Sequence, residues 1–116
     1  MINCDGEEKS FRPEEISAKI LAKLKLLAEQ FTGSPVRRAV VSVPAHFNYS
    51  QRQATLDACC IAGLECSRLI NPPSAAALAY FYEHNMSAKM TKNVLIFDFG
   101  GGTLDVSVIE TDNVVL

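Results

Sequence analysis

Between residues 98 and 105 the chain reads Asp98-Phe99-Gly100-Gly101-Gly102-Thr103-Leu104-Asp105. Two acids and a hydroxyl bracket three glycines, and each type has a use around a phosphate group. Glycines can adopt positive φ and let backbone N–H groups approach an anion closely. Successive N–H groups in such a turn form a concave anion site. The Thr103 hydroxyl can donate to a phosphate oxygen. Asp98 and Asp105 would repel phosphate directly, so they belong beside Mg²⁺ or its water shell. The stretch is not a Walker-type loop, because GxxxxGK[ST] is missing. It is not a dinucleotide fingerprint either, since that motif leads into a helix. Here the residues after the glycines alternate as a strand, which predicts a hairpin from Val94 to Ile109.

Several elements must hold this hairpin in place. Val94-Leu95-Ile96-Phe97 and Leu104 to Ile109 are its two strands. Upstream, Pro13 opens a helix with Glu14 and Glu15 in its first turn, where acids suit the helix dipole. Ile16, Ile20, Leu24, Leu27 and Phe31 form an apolar stripe, and Gly33 marks the stop. Ala39-Val40-Val41-Ser42-Val43 is a β-branched run predicting a buried strand that ends at Pro44. Ser50-Gln51-Arg52-Gln53 reads as a capping box, so a helix starts there, turns Ala54, Ala58, Ile61 and Ala62 inward, and stops at Gly63. Leu64 to Ile70 is the next strand and Asn71-Pro72-Pro73-Ser74 a turn. Ala75 to Tyr82 is a small-residue helix, and residues 85–92 are a polar loop. Residues 1–11 read as a polar tail with Phe11 as its one hydrophobic anchor. Helices interleaved with strands predict an α/β fold, with helices packed against a sheet.

Composition narrows the function classes. A 48% hydrophobic, 21% charged chain of 116 residues is that of a folded globular protein, not a disordered one. The net charge of −2 gives no footprint for nucleic acid or an anionic membrane. No apolar run approaches the roughly 18 residues that span a bilayer, and the acidic N-terminus is not a secretory signal. Cys4, Cys59, Cys60 and Cys66 lack the paired spacing of zinc ligands, and read as reduced, buried, small side chains of a cytoplasmic protein.

Ordered blocks along nearly the whole chain resemble the ATPase domain of the 70-kDa heat-shock chaperones, within the actin-like (ribonuclease H-like) superfamily. The blocks are Phe11 to Ser17, Val40 to Asn48, Ser50 to Thr55, Ile61 to Leu64, Ala75 to Tyr80 and Val94 to Val108. The resemblance implies a partial actin-like ATPase domain, with helices on a mixed sheet plus a β-hairpin. Residues 1–93 would end the first lobe, with residues 1–12 a tail from the preceding subdomain. Residues 94–116 would open the second lobe with the hairpin. It implies ATP/ADP and Mg²⁺ as cofactors, ATP-dependent protein folding in the stress response, and J-domain and nucleotide-exchange co-chaperones as partners.

The resemblance also implies residue roles. Asp98, Thr103 and Asp105 match catalytic positions, with Asp98 acting on Mg²⁺ through water. Gly100, Gly101, Gly102 and Thr103 match the second phosphate loop. Pro44 and Arg52 match a proline–arginine pair that couples nucleotide state to the substrate domain. Three positions depart from the pattern. Asn71-Pro72-Pro73 stands where the family has Asn-Glu-Pro, and Pro72 brings neither a carboxylate nor an N–H. His46 replaces a usual tyrosine, and Tyr49 a usual acid. The first phosphate loop, its lysine and the adenosine pocket match nothing in these 116 residues. Little or no ATPase activity is therefore expected of the chain alone, and a non-catalytic interaction module that binds co-chaperones or full-length relatives is the alternative.

Overall fold

A computed structural model describes residues 2–4, 7–84 and 92–111. The element order is β1 (Ile2–Cys4), β2 (Glu7–Lys9), α1 (Pro13–Thr32), β3 (Arg38–Ser42), α2 (Tyr49–Ile61), β4 (Glu65–Ile70), α3 (Pro72–Glu83), β5 (Lys92–Phe99) and β6 (Leu104–Thr111). The fold is mixed α/β, and its strands lie in three two-stranded sheets: β1–β2, β3–β4 and β5–β6. The chain divides into two compact units, Met1–Leu69 and Ile70–Leu116.

In the first unit, local chemistry sets both ends of α1. Pro13 takes the first helical position, where its missing N–H leaves no bond unmade. The Glu15 carboxylate accepts from the Arg12 N–H at 2.7 Å. Gly33 closes the helix at φ 67°, its N–H donating to Glu29 O at 2.9 Å. The Glu29 carboxylate then accepts from the Val36 N–H at 3.0 Å, leading the chain toward β3. The expected stripe is not a core stripe. Ile16 is half-buried, but Ile20, Leu24 and Leu27 are exposed, and Phe31 is 93% exposed. The fully buried residue of α1 is Ala18. α1 packs against α2.

The helix α2 starts two residues before the box expected at Ser50. Asn48 is the cap: its side-chain carbonyl accepts from the Gln51 N–H at 2.9 Å, and the Gln51 side chain accepts from the Asn48 N–H at 3.0 Å. Ala58 and Cys59 are buried, whereas Ile61 is exposed rather than inward. Cys60 O accepts from the Gly63 N–H and Cys59 O from the Leu64 N–H, with Gly63 at φ 69°. Lys25 of α1 caps this end, its ammonium donating to Gly63 O at 2.8 Å. At the start of β4, the Glu65 N–H donates to Arg37 O at 2.8 Å, so β3 and β4 begin side by side and run the same way. The expected buried strand β3 is half-covered: Ala39 and Val41 are half-buried, Val40 is exposed, and Val43 just beyond it is buried. The stretch read as a polar tail contains the antiparallel pair β1–β2.

In the second unit, Pro72 and Pro73 are not in a turn. They are the first two residues of α3, with Asn71 as the cap, whose carbonyl accepts from the Ala75 N–H at 3.0 Å. α3 packs on the β5–β6 hairpin and buries Ala77 and Phe81. The hairpin's half-buried residues, Val94, Ile96, Ser107 and Ile109, share one face. Most of the polar loop expected at 85–92 lies outside the described residues, and Lys92 already belongs to β5.

Candidate functional site

The hairpin register places the candidate residues at one end of β5–β6. Val94 pairs with Ile109, Ile96 with Ser107, Asp98 with Asp105, and Phe99 with Leu104. Side chains directly opposite in an antiparallel pair share a face, and their Cβ atoms are about 5 Å apart. Alternation therefore carries one face from the half-buried Val94, Ile96, Ser107 and Ile109 out to Asp98 and Asp105, which are exposed. The two carboxylates oppose each other across the ladder. Among the described residues neither has an ion-pair or hydrogen-bond partner.

Beyond the last pair the chain turns through Gly100, Gly101, Gly102 and Thr103. The Gly100 N–H donates to Thr103 O at 3.0 Å and closes the turn. Among the described residues, no acceptor takes the N–H groups of Gly101, Gly102 or Thr103. None of these three glycines adopts positive φ; among the described glycines, Gly33 and Gly63 do. Four residues span the turn, so it escapes the left-handed dihedrals that a two-residue hairpin loop requires. A Cβ built on Gly101 or Gly102 meets nothing within 4 Å. Neither backbone angle nor packing thus demands glycine at these two positions. A ligand approaching the bare backbone would.

Fit to a nucleotide and Mg²⁺ can be judged on this geometry. Among the described residues no group of three or more His, Cys, Asp or Glu could hold a metal ion. Two carboxylates alone suit Mg²⁺ only when phosphate oxygens and water complete its octahedron, the usual pattern of Mg²⁺ beside a nucleotide. Three free N–H groups, the Thr103 hydroxyl and two unpaired acids match that donor set.

Pro44 and Arg52 meet at the β3–α2 loop. Pro44 O accepts from the Phe47 N–H at 3.1 Å. The half-buried Arg52 donates through Nε to Phe47 O at 3.1 Å and through Nη2 to Ala45 O at 3.3 Å. Arg52 is therefore the brace of that loop, not a solvated first-turn residue. These two partners are backbone carbonyls, which residue types alone do not reveal. Asn48, which fixes the start of α2 beside the same loop, was missed; Gln51 three residues later was the available signal. His46 stacks edge-on against Phe47.

A family model described as Hsp70 protein matches residues 1–116. The chain belongs to the Hsp70 family. Curated relatives agree across most of its length. It is 53% identical over 109 residues to a chaperone protein dnaK of Cyanophora paradoxa, covering 94% of this chain and 17% of that protein. It is 58% identical over 104 residues to a heat shock cognate HSP70 protein of Trypanosoma brucei brucei, covering 90% and 15%. With heat shock cognate 70 kDa protein 3 of Dictyostelium discoideum, identity is 51% over 112 residues, covering 97% and 18%. This Hsp70 chain thus spans less than a fifth of the length of these relatives. Within that span lie the glycine turn, its two acids and the Pro44–Arg52 loop.

Proposed function

We propose that β5–β6 is the second phosphate loop of an Hsp70 ATPase domain, and that this chain serves ATP-dependent protein folding through it. The observation that carries the reading is the turn itself: Gly101 and Gly102 are glycines that the fold does not need, with N–H groups left free beside opposed acids. In this reading residues 1–93 end the first lobe of an actin-like fold and residues 94–116 open the second. The N–H groups of Gly101, Gly102 and Thr103 hold phosphate oxygens of ATP or ADP, joined by the Thr103 hydroxyl. Asp98 and Asp105 would hold the water shell of Mg²⁺, which when bound would supply charge neutralisation at the phosphates. Arg52 and Pro44 set the β3–α2 loop that passes nucleotide state onward to a client-binding region. Cytoplasmic residence, J-domain partners and nucleotide-exchange partners belong to the same reading.

Pro72 tempers catalysis. It sits at the start of α3 and offers no carboxylate to the Mg²⁺ water shell. Phosphoryl transfer rests on positioning and charge stabilisation, so an incomplete site loses rate steeply. The test is calorimetric titration of ATP with and without Mg²⁺, on the chain and on Pro72→Glu. The expected outcome is Mg²⁺-dependent affinity that rises in the variant, with negligible single-turnover hydrolysis by the unaltered chain. Equal affinity in all four titrations, or hydrolysis at a family-like rate by the unaltered chain, would refute it.

A second reading, a non-catalytic interaction module, is favoured by the opposite hairpin face. Leu95, Phe97, Phe99, Leu104, Val106 and Val108 are all exposed there. Contiguous apolar patches of this kind mark interaction surfaces. Size-exclusion chromatography separates the two: a monomer that binds Mg²⁺-nucleotide and retains no relative or co-chaperone supports the first reading alone.

A further inference from the structure

The strand β3 has one edge in use and one edge free. The Glu65 N–H donates to Arg37 O at 2.8 Å, which sets the phase of the β3–β4 ladder. Backbone groups of successive strand residues point to opposite edges, so Arg37, Ala39 and Val41 turn theirs toward β4. Arg38, Val40 and Ser42 turn theirs to the other edge, where among the described residues no strand pairs with them. Such edges are ordinarily blunted by charges, prolines or bulges. Here the charge within the strand is Arg38 at its first position, and the middle reads Ala39-Val40-Val41. Val40 is 62% exposed. An apolar cavity of about 330 Å³ runs along the strand, lined in succession by Ala39, Val40, Val41 and Ser42, with Leu21 and Leu24 of α1 as its other wall.

We propose that this edge seats a second copy of the chain, with the two β3 strands paired antiparallel about a two-fold axis at Val40. The strand is self-complementary in that register, in hydrogen bonding and in charge. With Val40 opposite its own counterpart, Arg38 of each copy stands opposite Ser42 of the other. Every outward-facing residue of one strand then meets an outward-facing residue of its partner, and N–H groups meet carbonyls along the whole of β3. A two-fold at Ala39 or Val41 would leave one outward residue of each strand beyond the other's end. A two-fold at Arg38 would set the two guanidinium groups against each other. The Val40 register alone pairs the full strand, keeps the arginines apart and covers the exposed valine on both copies. The contact is isologous and closes at two copies. A strand of five residues makes a small interface, below the ~1,200–2,000 Å² of stable complexes, so a Kd on the order of 10⁻⁴ M is expected.

The test is sedimentation velocity of the full chain from micromolar to millimolar concentration, joined to amide exchange by NMR over the same range. Dimer should appear toward the top of that range. The N–H groups of Arg38, Val40 and Ser42 should gain protection as it does, while those of Ala39 and Val41, which face β4, are protected throughout. This alternation is read on the unaltered chain and needs no variant to fold. Val40→Lys and Val40→Asp change an exposed side chain and set like charges across the axis, so each should weaken association about tenfold or more. An equimolar mixture of the two variants should restore association, because it sets Lys opposite Asp. A chain that stays monomeric throughout, or a mixture no tighter than either variant alone, would overturn the proposal. So would association through the exposed face of β5–β6, which would leave exchange in β3 independent of concentration.

Discussion

The opposed carboxylates of the hairpin make a measurable demand on its stability. Asp98 and Asp105 are direct cross-strand partners on exposed positions, without a cationic neighbour among the described residues. At about 5.5 Å in water, two like charges repel by about 0.7 kcal/mol. Ionic screening leaves about 0.6 kcal/mol at 0.01 M salt, about 0.4 at 0.15 M and about 0.1 at 1 M. Asp105→Asn removes the repulsion and keeps the side chain's size. It should therefore slow native-state amide exchange along β5–β6 by about threefold at 0.01 M salt, about twofold at 0.15 M and scarcely at 1 M. Hydrogen exchange followed by NMR reads this locally, without requiring the two units to unfold together. In the unaltered chain, Mg²⁺ should slow exchange more than Na⁺ at equal ionic strength, because a divalent ion between two carboxylates relieves their repulsion. The reasoning fails if Asp105→Asn exchanges faster at low salt, or if its advantage is independent of salt.

Three further outcomes follow from particular contacts. Asn48→Ala removes the observed cap of α2 and should lower stability by about 1 kcal/mol, whereas Ser50→Ala should stay within about 0.5 kcal/mol in the same thermal melts. Gly63→Ala places a Cβ at φ 69° and 3.3 Å from the Lys25 ammonium, so it should destabilise by about 1 kcal/mol or more in denaturant titration. The folded chain keeps the Cys59 proton that the unfolded chain gives up near pH 9.0, so unfolding releases a proton above that pH. Stability should be undiminished below pH 9.0, fall as pH rises toward the higher folded value, and lose that slope in Cys59→Ala, as measured by melts across alkaline pH.

Features governed by adjacent residues were readable from the chain, and those governed by distant packing were not. The ends of α1 follow from Pro13 and Gly33, which act within one turn. The exposure of Leu24 and Phe31 depends on what packs against α1, and periodicity carries no such information. The start of α2 shows a different limit. Asn48–Gln51 and Ser50–Gln53 are the same motif in two registers, and only the three-dimensional bonds choose between them. Pro72-Pro73 reads equally as a turn or as the first turn of a helix, because proline's fixed φ suits both. β1, Ile2-Asn3-Cys4, is too short for its alternation to reveal a strand, and β2, Glu7-Glu8-Lys9, has none.

The candidate site was legible in composition and partly misread in mechanism. The order of acid, glycines, hydroxyl and acid predicts a hairpin, and the register puts Asp98 opposite Asp105. The positive φ open to glycine is not used in the turn, which is long enough to avoid it. Their value lies instead in open space and unpaired N–H groups. The brace between Arg52 and the carbonyls of Ala45 and Phe47 was invisible, since every residue supplies a carbonyl.

The most direct test of the central claim is an amide NMR titration of the chain with ADP and Mg²⁺. Phosphate binding by this loop should shift the N–H signals of Gly101, Gly102 and Thr103 first, and Asp98 and Asp105 when Mg²⁺ is added. The affinity should be weak, in the millimolar range near 4 kcal/mol, as suits a site with few donors. Shifts that leave these five residues unmoved while others respond, or no response at saturating nucleotide, would contradict the claim that this hairpin is a phosphate loop.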